Sequence, residues 1–166
     1  MKIKKHITAL ATAAALSATL PAVAQQSQHM APETMLSLAR VGASALSPDG
    51  KTVVYSVGFP SIKDNKIRTE LFTISSDGSA RRQITQGVAG VHGARWIQQG
   101  RRISYISSES GAPQVWTMAP DGTDRRQVTN IEGGLSDYLF SPDEKQLAYI
   151  KEISFGKSTK EIYPDL

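Results

Sequence analysis

Residues 71–114, LFTISSDGSARRQITQGVAGVHGARWIQQGRRISYISSESGAPQ, lie without a gap over residues 115–158, VWTMAPDGTDRRQVTNIEGGLSDYLFSPDEKQLAYIKEISFGKS. Asp77-Gly78 falls on Asp121-Gly122, and Arg81-Arg82-Gln83-Ile84-Thr85 falls on Arg125-Arg126-Gln127-Val128-Thr129. Trp96 meets Phe140, and Ile103-Ser104-Tyr105-Ile106 meets Leu147-Ala148-Tyr149-Ile150. A repeat of about 44 residues means that one supersecondary unit has been copied, each copy burying its apolar face on the next.

A third, partial copy lies upstream. Leu46-Ser47-Pro48-Asp49-Gly50-Lys51 and Val53-Val54-Tyr55-Ser56 match the later units at an offset of about 50, which leaves six extra residues before Leu71. The polar stretch Ser61-Ile62-Lys63-Asp64-Asn65-Lys66 is where they fit as a surface loop, because loop length costs little.

Each unit reads as four short strands. The first ends at Ser-Pro-Asp-Gly, and the second alternates through Val53-Val54-Tyr55 or Ile103-Ser104-Tyr105. The third is Leu71-Phe72-Thr73-Ile74 or Val115-Trp116-Thr117-Met118, and the fourth follows the next Asp-Gly. Asp-Gly at 49-50, 77-78 and 121-122 predicts tight type I′ hairpins, whose two central residues take positive φ. Pro48, Pro120 and Pro142 precede the turns, where no ladder donor is lost. Four antiparallel strands in such a unit form a propeller blade; another all-β stack is the alternative. The expectation is an all-β, incomplete β-propeller with blades at about 43-86 and 92-130 and the start of a third at about 136-166, all within 41-166. A short helix at 32-40, from Pro32 to Arg40, packs Met35, Leu36 and Leu38, and a flexible lead-in at 25-31 precedes it.

Residues 1-24 read as a signal peptide. Lys2, Lys4, Lys5 and His6 are followed by the apolar run Ile7 to Leu20 and the small-residue site Pro21-Ala22-Val23-Ala24. The run is short for a bilayer span, so an exported location, periplasmic or secreted, is expected, with no membrane attachment after cleavage. The formal charge is +4, but three of the lysines lie in this segment, so the remainder is close to neutral. A basic surface seeking nucleic acid is not implied.

Chemistry-bearing patterns are sparse. There is no cysteine, which excludes disulfides and a thiolate nucleophile or metal ligand in this chain. Gly42-Ala43-Ser44-Ala45-Leu46 begins like a nucleophile elbow but lacks its second glycine and sits in strand context. Of three histidines, His6 lies in the signal, His29 in the lead-in, and His92 stands alone beside Gly93. Asp49, Asp77, Asp121 and Asp143 recur at turns, where a carboxylate bonds nearby amides. The doublets Arg81-Arg82, Arg101-Arg102 and Arg125-Arg126 alternate with apolar residues on outer strands and have acids nearby, the pattern of a solvated face. Gly87, Gly90 and Gly93 fit no phosphate-loop spacing. The expected catalytic, cofactor-binding and metal-site sets are therefore all empty: none, and no cofactor.

With these residues in place, a resemblance emerges. Met30-Ala31-Pro32-Glu33-Thr34-Met35-Leu36-Ser37-Leu38-Ala39-Arg40-Val41-Gly42 followed by Ser47-Pro48-Asp49-Gly50-Lys51-Thr52-Val53-Val54-Tyr55-Ser56 resembles the start of exported bacterial peptidases of the prolyl oligopeptidase family, in the dipeptidyl-peptidase and acylaminoacyl-peptidase branch. Arg82-Gln83-Ile84-Thr85, Arg126-Gln127-Val128-Thr129 and Lys160-Glu161-Ile162-Tyr163-Pro164-Asp165-Leu166 are similar to that branch too. The resemblance implies an N-terminal propeller that admits short peptides to a downstream α/β-hydrolase domain carrying a Ser, Asp and His triad.

The residues after position 24 amount to only about three repeat lengths, whereas closed propellers have four or more blades. The expectation is thus a substrate-gating propeller portion of an exported serine peptidase, with oligopeptide partners through the parent protein and the catalytic domain outside this chain. The alternative is a non-enzymatic TolB-like periplasmic propeller that binds proteins.

Overall fold

The computed structural model describes residues 30–153 and 156. The signal-peptide reading, most of the lead-in with His29, and the closing stretch 160–166 lie outside them.

Two four-stranded antiparallel sheets and a two-stranded one follow each other along the chain. The first holds β1 (Arg40–Leu46), β2 (Thr52–Ser61), β3 (Lys66–Ser75) and β4 (Arg82–Gln83), in that order. The second holds β5 (His92–Ile97), β6 (Arg102–Ser107), β7 (Gln114–Met118) and β8 (Arg126–Gln127) in the same order. The third pairs β9 (Asp137–Phe140) with β10 (Leu147–Ile150). Sheets of this meandering order, stacked face to face, are propeller blades, so the all-β propeller expectation holds.

Equivalent positions do equivalent work. Val54 and Leu71 of the first blade pack on Ile103, Tyr105 and Met118 of the second, with Ile84, Val88 and Val91 of the connection filling the gap between them. Ile106 and Val115, on the other face of the second blade, pack on Leu135 and Tyr138 of the third. Polar side chains tie one blade to the next: Trp96 Nε1 donates to the Ala45 carbonyl at 3.0 Å, and Tyr138 Oη donates to the Gly93 carbonyl at 3.0 Å and shares a hydrogen bond of 2.8 Å with Ser104 Oγ.

Three local expectations need correction. The Asp-Gly turns are not type I′, because Asp49, Asp77 and Asp121 keep negative φ while Gly50, Gly78 and Gly122 lie at 71°, 87° and 87°. Gly50 N–H donates to the Ser47 carbonyl, and Ser47 N–H to the Thr52 carbonyl, which makes a type I turn followed by a left-handed residue. The aspartate stays in the right-handed region because its carboxylate accepts from the chain two residues on, as Asp49 does from Lys51 N–H.

Residues 62–65 do form a surface turn, but the extra residues of the first blade do not lengthen it. β2 and β3 pair from Thr52↔Ser75 to Ser61↔Lys66, so the insertion is spent on ladder, and the ribbon projects beyond the point where β6 and β7 end at Ser107↔Gln114. Alternating Val57, Phe59, Arg68 and Glu70 suit a pleated surface. Finally, helix α1 (Pro32–Ser37) is only six residues long, and Met35, Leu36 and Leu38 remain about half exposed instead of forming a buried face. Leu38 is already extended, and Arg40 pairs with Gly58.

Candidate functional site

The residues singled out for chemistry do not converge. Ser44 lies exposed in β1 and makes no hydrogen bond to a histidine or carboxylate among the described residues. His92 opens β5, exposed, with Nδ1 2.9 Å from the Gly90 carbonyl oxygen. No group of three or more His, Cys, Asp or Glu side chains is placed to hold a metal among the described residues.

The four turn aspartates are local braces. Asp49 accepts from Lys51 N–H, Asp77 from Ser79 N–H and Oγ, Asp121 from Thr123 N–H and Oγ1, and Asp143 from Ser141 Oγ and Lys145 N–H. The neighbouring hydroxyl first, and the backbone amide after it, hold each carboxyl below its usual range.

One or both arginines of each doublet make structural contacts, while Arg82 and Arg101 are exposed, as a solvated face would have them. Arg102 Nη1 reaches Asp124 Oδ2 at 2.7 Å, Arg126 Nε reaches Asp124 Oδ1 at 2.9 Å, and Arg81 lies over the Phe72 ring at 4.9 Å. Arg125 Nη2 donates to the Ile84 carbonyl of the preceding blade at 3.3 Å.

Sequence reasoning missed the buried polar knot that underlies the Arg-Gln-Ile/Val-Thr motif. Thr85 Oγ1 accepts from Leu71 N–H at 2.8 Å and donates to Glu70 Oε2 at 2.7 Å; Glu70 Oε1 accepts from Gly87 N–H at 2.8 Å. Glu70 is fully buried, with Arg68 Nη1 3.6 Å from Oε1. One repeat later Thr129 Oγ1 accepts from Val115 N–H and donates to Gln114 Oε1, which also accepts from Ile131 N–H. Gln83 and Gln127 close each knot by donating to the Thr85 and Thr129 carbonyls at 2.7 and 2.6 Å. The signal was present as Glu70 and Gln114 at matching repeat positions, each just before the third strand's apolar pair.

The open surface with the most structure lies beside the ribbon. A groove of about 400 Å³ runs between Lys66, Ile67, Arg68 and Thr69 of β3 and the connection from Val88 to His92. A second cleft, of about 310 Å³, lies on the ribbon near α1, lined by Leu36, Arg40, Pro60, Ile62 and Ile67. Val88 and Val91 anchor the floor of the first by being buried themselves.

The stacked sheets and inter-blade packing define a segment of a β-propeller. No family model matches the chain. It is 55% identical over 139 residues to the dipeptidyl-peptidase 5 of Porphyromonas gingivalis, covering 84% of this chain and 20% of the relative, and 44% identical over 141 residues to that of Porphyromonas endodontalis. Among solved structures, the Pyrococcus horikoshii acylaminoacyl peptidase superposes with a TM-score of 0.56 at 14% identity, over 70% of this chain and 18% of that one. TolB from Acinetobacter baumannii superposes with the same TM-score at 20% identity, over 69% and 27%. Within the propeller class, the chain is similar to these dipeptidyl-peptidases over most of its own length, which is consistent with a propeller part of a prolyl oligopeptidase-family peptidase. It spans a fifth of the length of the curated relatives it matches.

Proposed function

We infer that this segment serves as the substrate-gating propeller of an exported serine-type exopeptidase that hydrolyses short peptides. Its cleavage chemistry resides in a hydrolase domain belonging to the same protein. The carrying observation is the 55% identity to a dipeptidyl-peptidase over 84% of this chain. The basic, apolar and small-residue succession of positions 1–24 supports export. TolB shares the blade architecture, but at 20% identity that likeness speaks for fold alone, so the binding-propeller reading has less behind it.

In this reading the blades act sterically, as a rigid wall past which only short, extended peptides reach the nucleophile. The test is hydrolysis of dipeptidyl chromogenic amides by the protein encoded by the whole reading frame, against the 166-residue chain alone. Release by the former, abolished by a serine-directed fluorophosphonate, and none by the latter is expected. A whole protein with no fluorophosphonate-reactive serine would overturn the reading.

A further inference from the structure

The ribbon leaves a strand edge unpaired, and the groove runs along it. In β3, Leu71 turns its N–H and carbonyl away from β2: the N–H donates to Thr85 Oγ1, and the carbonyl accepts from Ile84 N–H. Backbone direction alternates along an antiparallel strand, so Thr69 and Ile67 turn their N–H and carbonyl groups to the same side. There β4 pairs only with Phe72 and Thr73, and among the described residues no strand pairs with the edge before Leu71.

Four consecutive residues, Lys66 to Thr69, line the groove. A sheet face would contribute only alternate residues, so the backbone edge itself forms part of the wall. The opposite wall carries buried Val88 and Val91 with exposed Ala89, Gly90 and His92. Exposed strand edges are ordinarily blunted, because they template pairing with another chain. Here Lys66 and Arg68 supply charge, yet their side chains leave the backbone groups of Ile67 and Thr69 without partners among the described residues.

We propose that an extended peptide binds in this groove by adding as a further strand to the Ile67–Thr69 edge of β3. Recognition rests on its backbone amides pairing with those of Ile67 and Thr69, while the walls accept small apolar side chains at alternate positions. The inference deepens the peptide-handling reading above and rests on it for the choice of occupant. It places a holding site on the first blade, apart from any bond cleavage.

The test uses the whole protein and a fluorescein-labelled hexapeptide of alternating valine and threonine, acetylated and amidated so that an exopeptidase cannot shorten it. Expected are slowed hydrogen exchange at the Ile67 and Thr69 amides, and loss of binding when alternate peptide nitrogens are methylated. Thr69→Pro removes a donor that the β2 ladder does not use, so folding persists by thermal melt while affinity falls roughly tenfold, as for one backbone hydrogen bond. Binding without protection of these amides, or binding indifferent to Thr69→Pro, overturns the proposal. Protection that appears without peptide also overturns it: if it rises with protein concentration the edge belongs to a second copy, and if it does not, another part of the same protein covers it. Dipeptide release from chromogenic substrates is scored separately. Hydrolysis with an unprotected edge sinks this inference alone, whereas a protected edge without hydrolysis sinks the peptidase reading alone.

Discussion

Glu70 shows that position, not residue type, decides whether a carboxylate is buried. A carboxylate in a strand flanked by Arg68 and Thr69 looks solvent-facing, yet it is fully buried and accepts from Thr85 Oγ1 and Gly87 N–H. The second blade performs the same task with neutral Gln114, whose Oε1 accepts from Thr129 Oγ1 and Ile131 N–H. Glu70→Gln should therefore cost less than about 1 kcal/mol in urea unfolding. Thr85→Val should cost about 2 to 3 kcal/mol, because it strands both the Leu71 N–H and a buried carboxylate oxygen. Comparable losses in the two variants would mean that charge, not the hydroxyl bridge, holds the knot. The glycines of the turns separate conformation from packing in the same way. Gly78 and Gly122 share φ of 87°, but a Cβ at Gly78 meets nothing within 4 Å, while one at Gly122 would collide with the Ile84 backbone of the neighbouring blade. Gly78→Ala should cost about 1 kcal/mol from φ alone. Gly122→Ala should cost about 3 kcal/mol, with the excess measuring how tightly the blades abut. Equal costs in chemical denaturation would refute that close approach.

At the scale of elements, the repeat made the strands readable while hiding how they are elaborated. The apolar alternation of Val53-Val54-Tyr55 and Ile103-Ser104-Tyr105 places β2 and β6, and Pro48 and Pro142 mark the hairpins. Turn type escaped because Asp-Gly is compatible with two geometries, and the choice depends on the residue before it. In Ser47-Pro48-Asp49-Gly50 the proline sets a type I start, and Ser47 Oγ accepts from Thr52 N–H to close it. The ribbon escaped because the polar stretch from Ser61 to Lys66 does hold a turn, and periodicity does not show that the residues on either side of it, Gly58 to Pro60 and Ile67 to Thr69, extend the ladder instead of the loop. Inter-blade contacts were invisible, since Trp96 Nε1 meets a backbone carbonyl far away in sequence. They make the blade junction sensitive to alkali. Burial raises the hydroxyls of Tyr105 and Tyr138 to about 12. Their folded value lies above the unfolded one near 10, so the neutral-form contribution is complete below about pH 10 and is lost as pH rises to about 12. Urea midpoints at pH 8, 10 and 11.5 should fall most steeply over the last interval, with a smaller fall in Tyr138→Phe. At pH 8, Tyr138→Phe should lose about 1 to 2 kcal/mol with its bonds to Gly93 and Ser104, whereas Tyr105→Phe should lose nothing, since Tyr105 Oη has no partner among the described residues. A larger loss in Tyr105→Phe than in Tyr138→Phe would contradict this.

For the molecule as a whole, the informative comparison is between a face that is covered and its copy that is not. In the second blade Ile103, Tyr105 and Met118 are fully buried against the first. Val53, Tyr55 and Ile74 stand at the matching positions of the first blade and are only partly buried, with Leu46 beside them 58% exposed. At the far end, Leu139 and Ile150 are 59% and 62% exposed. Each such side chain forgoes about 2 kcal/mol that burial would contribute, so both faces favour a further sheet of like chemistry. A ring supplies one for each, since the last blade of a closed propeller lies against the first. The relatives, of which this chain spans a fifth, have the length for more blades. Leu46→Cys reads this out in a chain that has no other cysteine. In the 166-residue chain its thiol should react with iodoacetamide at close to the free-peptide rate. In the protein translated from the whole reading frame, tracked by mass spectrometry of the peptide that contains it, the rate should fall at least about tenfold, because the thiolate needs solvent to form and access to the reagent that it attacks. Equal rates would mean that the first blade's outer face stays open in the mature protein, and that the apolar pattern of Val53, Tyr55 and Ile74 serves a partner other than a sister blade.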